Sequence, residues 1–341
     1  MKILALAAMA AALAFATPLP SFADTPAAHR ISQPTTHENL TIFLVRGDRA
    51  AGKTVPITLQ EAMQKGVLRV RETSNVNSLE IENLGDKDVF IQAGDIVKGG
   101  KQDRVLSVDM VLGPKSGAVP IASFCVEQGR WQKRGNEKAD SFASSTTALP
   151  SRAMKLAAQT PASPSPRGVA EPQQKVWSGV QEVQRKLADN LGSSAASAAS
   201  PSSLQLTMES GKLKSAVGAY EASLRSMVET TQDAIGFVVA INGKVSSADI
   251  YSSPDLFRAM WPKLLHATSV EALSEKKTGA SFAPATEAQV VAFLDQARAA
   301  PASKQKVTSR VTLEKRESDK ILASEAQLAE GGWVHRNYLA K

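Results

Sequence analysis

One cysteine, four histidines and three tyrosines are all that this 341-residue chain holds of three residue types that often carry chemistry. The lone Cys125 rules out an internal disulfide, and its place in mid-chain rules out a lipid anchor on a cysteine beside an N-terminal cut. Histidines scattered at 29, 37, 266 and 335 give no metal-ligand spacing with it. A structural zinc site is therefore excluded, and neither metal nor cofactor is expected. Aromatics make up 5% and do not interleave with basic clusters. The net charge of +7 is thus a mild surplus, not a nucleic-acid surface. It favours acidic or phosphorylated partners. The one long apolar run, Ile3 to Ala16, is shorter than the roughly 20 residues a bilayer crossing needs. No membrane span is expected.

That run belongs to "MKILALAAMAAALAFATPLPSFA", with Lys2 before it, Pro18 and Pro20 after it, and small residues Ser21 and Ala23 ahead of Asp24. This is the layout of a secretory signal peptide cut after Ala23, so a periplasmic or secreted protein is expected. Residues 24–38 are polar and read as a disordered start.

From 39 onward the pattern turns to strands. "NLTIFLVRG" (39–47) is a buried strand, and "TLQEAMQKG" (58–66) a short helix capped by Thr58 and stopped at Gly66. Period-two runs follow at 67–72, 78–83, 88–92, 105–112 and 118–127, separated by glycine turns. Residues 135–172 are rich in Ser, Ala, Thr and Pro and read as a linker or insertion, and 192–203 as a second such stretch. Helices are expected at 173–190, 209–231, from Pro254 with a break at Pro262, and from Thr286 to about 299. Asn242-Gly243 centres a type I′ hairpin over 235–251. Charged strands at 306–316 and 319–328 precede the tail "GGWVHRNYLAK". The expected class is α+β: a β-rich sandwich or partly closed barrel (39–134) packed as one unit on a helix and hairpin half (173–341).

"GDRAAGKT" (47–54) fits the phosphate-loop pattern G-x-x-x-x-G-K-T by letter. Its chemistry needs a helix starting at the Lys-Thr pair, and Pro56 with the helix start at 58 denies it one.

Two other loops invite more attention. "AGDIVKGGKQDRVL" (93–106) sets three glycines among five charges. Gly94, Gly99 and Gly100 allow successive N–H groups to face one concavity. Lys98, Lys101 and Arg104 add cationic donors, and Gln102 an amide. Asp95 and Asp103 supply carboxylates. "SFCVEQGRW" (123–131) ends a strand with Glu127, Gln128 and Arg130 around a glycine turn. The competing reading of such a loop is a tight connection whose charges pair among themselves. Cys125 has no histidine close in sequence to activate it and reads as a buried, inert thiol.

"GDIVKGGKQDR" with "CVEQGRW", "GFVVAINGKVSSADIYSSPDLFRAMWPKLL" and "WVHRNYL" together resemble the ADP-ribosylglycohydrolase- and rhodanese-phosphatase-associated protein domain family. The resemblance implies a role near nucleotide or ADP-ribose-derived ligands and carries over no catalytic residue. The sequence expectation is an exported protein binding, and by one reading hydrolysing, a small anionic ligand. Lys98, Gly99, Gly100, Lys101, Gln102, Arg104, Gln128 and Arg130 would contact the anion. Asp95, Asp103 or Glu127 would orient hydroxyls or act as general base. The alternative is a non-enzymatic envelope protein with a protein partner.

Overall fold

The computed structural model describes residues 30–48, 54–159 and 166–341, with the backbone alone over 166–170. The segment read as a signal peptide and positions 49–53 of the phosphate-loop match lie outside the described residues.

In chain order the front half runs β1 (Arg30–Ile31), β2 (Thr35–His37), β3 (Leu40–Arg46), β4 (Ile57–Thr58), α1 (Leu59–Gln64), β5 (Leu68–Asn75), β6 (Ser78–Asn83), β7 (Val89–Ile91), β8 (Asp95–Gly99), β9 (Arg104–Leu106), β10 (Met110–Leu112), β11 (Gly117–Cys125) and β12 (Phe142–Ala148). Helices α2 (Arg152–Gln159), α3 (Pro166–Leu191), α4 (Leu204–Glu209), α5 (Gly211–Leu224) and α6 (Ser226–Thr230) follow. The chain continues with β13 (Ala234–Ile241), β14 (Lys244–Tyr251), α7 (Pro254–Ser274) and α8 (Glu287–Ala299). It closes with β15 (Ala302–Lys306), β16 (Val311–Glu317), β17 (Ile321–Leu328) and β18 (Trp333–Ala340). The class is α+β.

Three sheets result: nine strands in the order β1-β3-β13-β14-β18-β17-β16-β15 with β2 also on β3, six in the order β12-β8-β9-β11-β6-β5, and three in the order β10-β7-β4. The long sheet explains its own sequence. Alternate residues of β3 and β13 (Leu40, Ile42, Leu44, Phe237, Val239) pack on Leu256, Phe257, Trp261 and Leu264 of α7. The residues between them (Phe43, Val45, Val238, Ala240) pack on Val290, Phe293 and Ala297 of α8. A sheet covered on both faces needs continuous apolar strands, and β13 is buried throughout. Asn242 and Gly243 both take positive φ, as a type I′ hairpin requires.

Several sequence readings are corrected. The strand at 39–47 forms, but it joins the back-half sheet by pairing with β13. Part of the expected disordered start, Arg30–Ile31 and Thr35–His37, pairs with β3, whose edge offers free backbone groups. Phe142–Ala148, inside the expected linker, pairs with β8, and α2 follows it. Tertiary pairing there overrides a weak local pattern. The loop at 93–106 is itself built on β8 and β9. The single strand expected at 105–112 divides at Ser107–Asp109, so that β9 pairs with β11 and β10 with β7 in another sheet. Helix 209–231 is broken into α5 and α6, whereas α7 runs through Pro262 because residues on both sides of it are buried in the same core. No helix among the described residues is long and apolar enough to cross a membrane.

Candidate functional site

The two suspected loops do meet. Register pairs Cys125 with Arg104, so the chain leaving β11 runs beside the turn entering β9. Gly99 and Gly100 hold φ of 114° and 56°, and a Cβ on Gly100 would lie 2.4 Å from the Phe142 ring. Glycine is therefore required at 100. Asp103 N–H donates to Glu127 Oε2 at 3.2 Å, and the Gln102 amide to the Glu127 carbonyl at 2.8 Å.

What the loops enclose is part of the same chain. Asp103 and Glu127 are both fully buried. Arg134 donates to both oxygens of Asp103, at 3.0 and 3.1 Å, and to Glu127 Oε1 at 3.2 Å. Arg130 Nε donates to Glu127 Oε2 at 2.8 Å, and its two terminal nitrogens to the Gly100 and Gly99 carbonyls. Ser203 and Ser200, from the second expected linker, donate to Asp103 at 2.9 Å and Glu127 at 2.5 Å. Burial pushes Glu127 up, but the bonds from Arg130 and Ser200 outweigh it and hold the carboxyl below its usual range. Burial opposes the charge on Arg134, and Asp103 overcomes it, so the guanidinium is held more firmly than usual.

The remaining expected ligand contacts are engaged likewise. Arg104 is fully buried and donates to Cys125 Sγ at 3.0 Å and Glu72 at 3.4 Å. Lys98 pairs with Glu209 at 2.5 Å. Lys101 donates to Ser74 at 2.9 Å and lies over the Trp131 ring. Gln128 accepts from Gln181 at 3.2 Å. The self-paired reading of this loop is what the geometry favours: two acids clasp two guanidiniums, and the expected general-base roles of Asp103 and Glu127 lose their free lone pairs. Burial raises the Cys125 thiol to about 11, as expected of an inert cysteine.

Asp95 departs from this cluster. At the start of β8 it turns to α7, where its Oδ1 accepts from Lys263 and its Oδ2 from the Gln92 N–H at 3.0 Å. Gln92 accepts from the Tyr251 hydroxyl at 2.7 Å and donates to Asp249 at 3.3 Å. His335 closes the network, with Nδ1 2.7 Å from Asp109 and Nε2 3.1 Å from Asp249. Burial opposes its charge, but the two aspartates prevail and raise it to about 9, so His335 is an imidazolium that ties β18 to β14 and to the turn before β10.

Lys263 is the outlet of this buried network. It lines a cavity of about 530 Å³ formed by α1, β12, α4, α5 and α7. That volume lies within the range of small-molecule sites. Lys263 is 4% exposed, and its ammonium has three hydrogens for one acceptor among the described residues, Asp95. One helical turn on, His266 lines the same cavity, with Nδ1 2.7 Å from Glu221 Oε1. Its Nε2 has no partner among the described residues. A carboxylate on Nδ1 fixes the tautomer that leaves Nε2 able to take a proton. Thr146, Thr147, Glu61 and Glu209 supply further polar groups, and Lys214 a cation without an ion-pair partner among the described residues.

The family model described as the ARG and Rhodanese-Phosphatase-superfamily-associated Protein domain, ARPP-1, matches residues 28–339. The chain belongs to the ARPP-1 family. No curated protein and no solved structure matches it. The ARPP-1 match includes both the clasp and the cavity, and it extends across the Ser/Ala/Pro-rich stretches that carry β12, α2, Ser200 and Ser203.

Sequence reasoning missed Lys263, His266 and Glu221. The available signal was a lysine and a histidine three apart on the helix expected from Pro254, a spacing that places both on one face. No group of histidine, cysteine and carboxylates suited to a metal occurs among the described residues.

Proposed function

We propose that this protein binds a small anionic ligand of the nucleotide or ADP-ribose type in the cavity between α1, α5 and α7, and hydrolyses it. The observation that carries this reading is the buried Lys263 ammonium, with Asp95 its one acceptor among the described residues, one turn from a histidine held by a carboxylate. The family's association with ADP-ribose and phosphatase proteins supports the ligand class. An exported chain, its leader cut after Ala23, remains part of the proposal.

The step assigned to the site is general-base hydrolysis. His266 Nε2 takes a proton from water as the water oxygen bonds to the electrophilic carbon or phosphorus. The bond to the leaving oxygen breaks, and the imidazolium returns its proton there. Lys263 faces the oxygen on which negative charge builds, and Glu221 steadies the charged ring. Thr146, Thr147, Glu61 and Glu209 are suited to ribose hydroxyls.

The test is thermal unfolding with ADP-ribose and ribose 5-phosphate, followed by turnover assays. A ligand at 100 times its dissociation constant stabilises by about 2.7 kcal/mol. His266→Gln should keep that shift and lower turnover by roughly 10²–10⁴-fold. A protein that neither shifts nor turns over these compounds contradicts the reading and favours the non-enzymatic interaction protein.

A further inference from the structure

A second concavity differs in charge. It measures about 660 Å³ and lies where the start of α2, the β13–β14 turn, the loop after α7 and the end of β18 converge on α3. Arg152, Lys186, Lys244, Lys277 and Lys341 line it, against two acids, Glu271 and Glu275. The lining side chains therefore carry an excess of three positive charges.

Both acids are already engaged within the hollow. Glu271 accepts the Arg152 backbone N–H at 2.7 Å, filling the anion position at the start of α2, and Glu275 pairs with Lys186 at 2.7 Å. Lys341 pairs with Glu317 at 2.6 Å. Lys244 and Lys277 are exposed and have no ion-pair partner among the described residues. The cations come from separate elements, so a folded chain, not one flexible segment, brings like charges together. Such crowding is unfavourable unless an anion compensates it. Cations carried on separate elements suit a ligand with more than one anionic group, as two linked phosphates provide. Phe282, Ile241 and Val245 add an apolar wall.

We infer that this hollow is a binding site for diphosphate-containing compounds, separate from the Lys263 cavity, with Lys244 and Lys277 as its principal charge contacts. The test is titration of the full chain with inorganic pyrophosphate and, separately, with inorganic phosphate, at low and moderate salt. Pyrophosphate should bind saturably, more tightly than phosphate, and weaken as salt rises. The double substitution Lys244→Glu with Lys277→Glu should weaken it tenfold or more at unchanged melting temperature. Lys306→Glu, an exposed lysine on β15, and Lys214→Glu, an exposed lysine of the Lys263 cavity, should leave it unchanged. Absence of saturable binding overturns the inference. So does equal affinity in the double variant, or a loss confined to Lys214→Glu. The last result would assign the anion to the other cavity, so the two readings fail separately.

Discussion

Arg134 shows how one side chain changes the meaning of a motif. With Arg130 it turns a loop rich in anion-binding residue types into a closed ion-pair cluster, because Asp103 and Glu127 lie close enough to share its guanidinium. Nothing in local spacing ties Arg134 to Asp103, 31 positions away. Removing one partner of a buried ion pair costs about 3–5 kcal/mol, since the other charge stays behind. Arg134→Ala should therefore lower the unfolding free energy from urea titration by an amount in that range, with Arg134→Lys recovering part of it. A loss below about 0.5 kcal/mol would show that water already reaches the carboxylates. His335 gives the residue scale its pH dependence. Its folded-state value, about 9, lies above the ordinary 6.5. The stabilisation it brings is complete below about 6.5 and is lost as pH rises through 9, on the order of 3 kcal/mol in total. His335→Gln should flatten the stability profile between pH 6.5 and 9. A wild-type profile already flat over that window would place a neutral ring between Asp109 and Asp249.

Elements with their own punctuation were legible. The hairpin at Asn242-Gly243, the Ser253-Pro254 start of α7 and the Thr286–Gln289 capping box all form where the residues place them. Where neighbours decide, local reading failed. Ser107 to Asp109 continues a period of two, yet the strand stops there because Asp109 turns inward to His335 and the Ala93 N–H. Phe142–Ala148 has the composition of a linker and becomes a strand because β8 offers an edge and Gly100 a seat for the Phe142 ring. That seat makes a prediction at this scale. Gly100→Ala combines a positive φ with a Cβ inside the ring's contact distance, and overpacking of this kind costs roughly 1–3 kcal/mol. It should lower the melting temperature, and pairing it with Phe142→Leu should restore part of the loss. Additive effects of the two changes would mean that the ring and the glycine do not meet.

At the scale of the whole molecule, the class was readable and the assembly was not. Front (39–134) and back (173–341) halves were expected as subdomains packed as one unit, with the strand at 39–47 in the front one. Instead β3 sits inside the back-half sheet, and the network from Asp95 through Gln92 and Asp249 to His335 crosses between them. Long-range pairings of this kind leave no periodic trace, so of the Lys263 cavity, built from five separated elements, only the Lys263–His266 spacing was open to a local reading. The scarcity of histidine is useful here, because four histidines give few ring signals to resolve. The most direct test of the cavity's role is a proton–nitrogen spectrum of the imidazoles during titration with ADP-ribose at pH 7.5. His266 should show hydrogen on Nδ1 and a free Nε2 that shifts as ligand binds, while His335 stays doubly protonated and still. A His266 signal that does not move at saturating ligand, or one with its hydrogen on Nε2, would contradict the account.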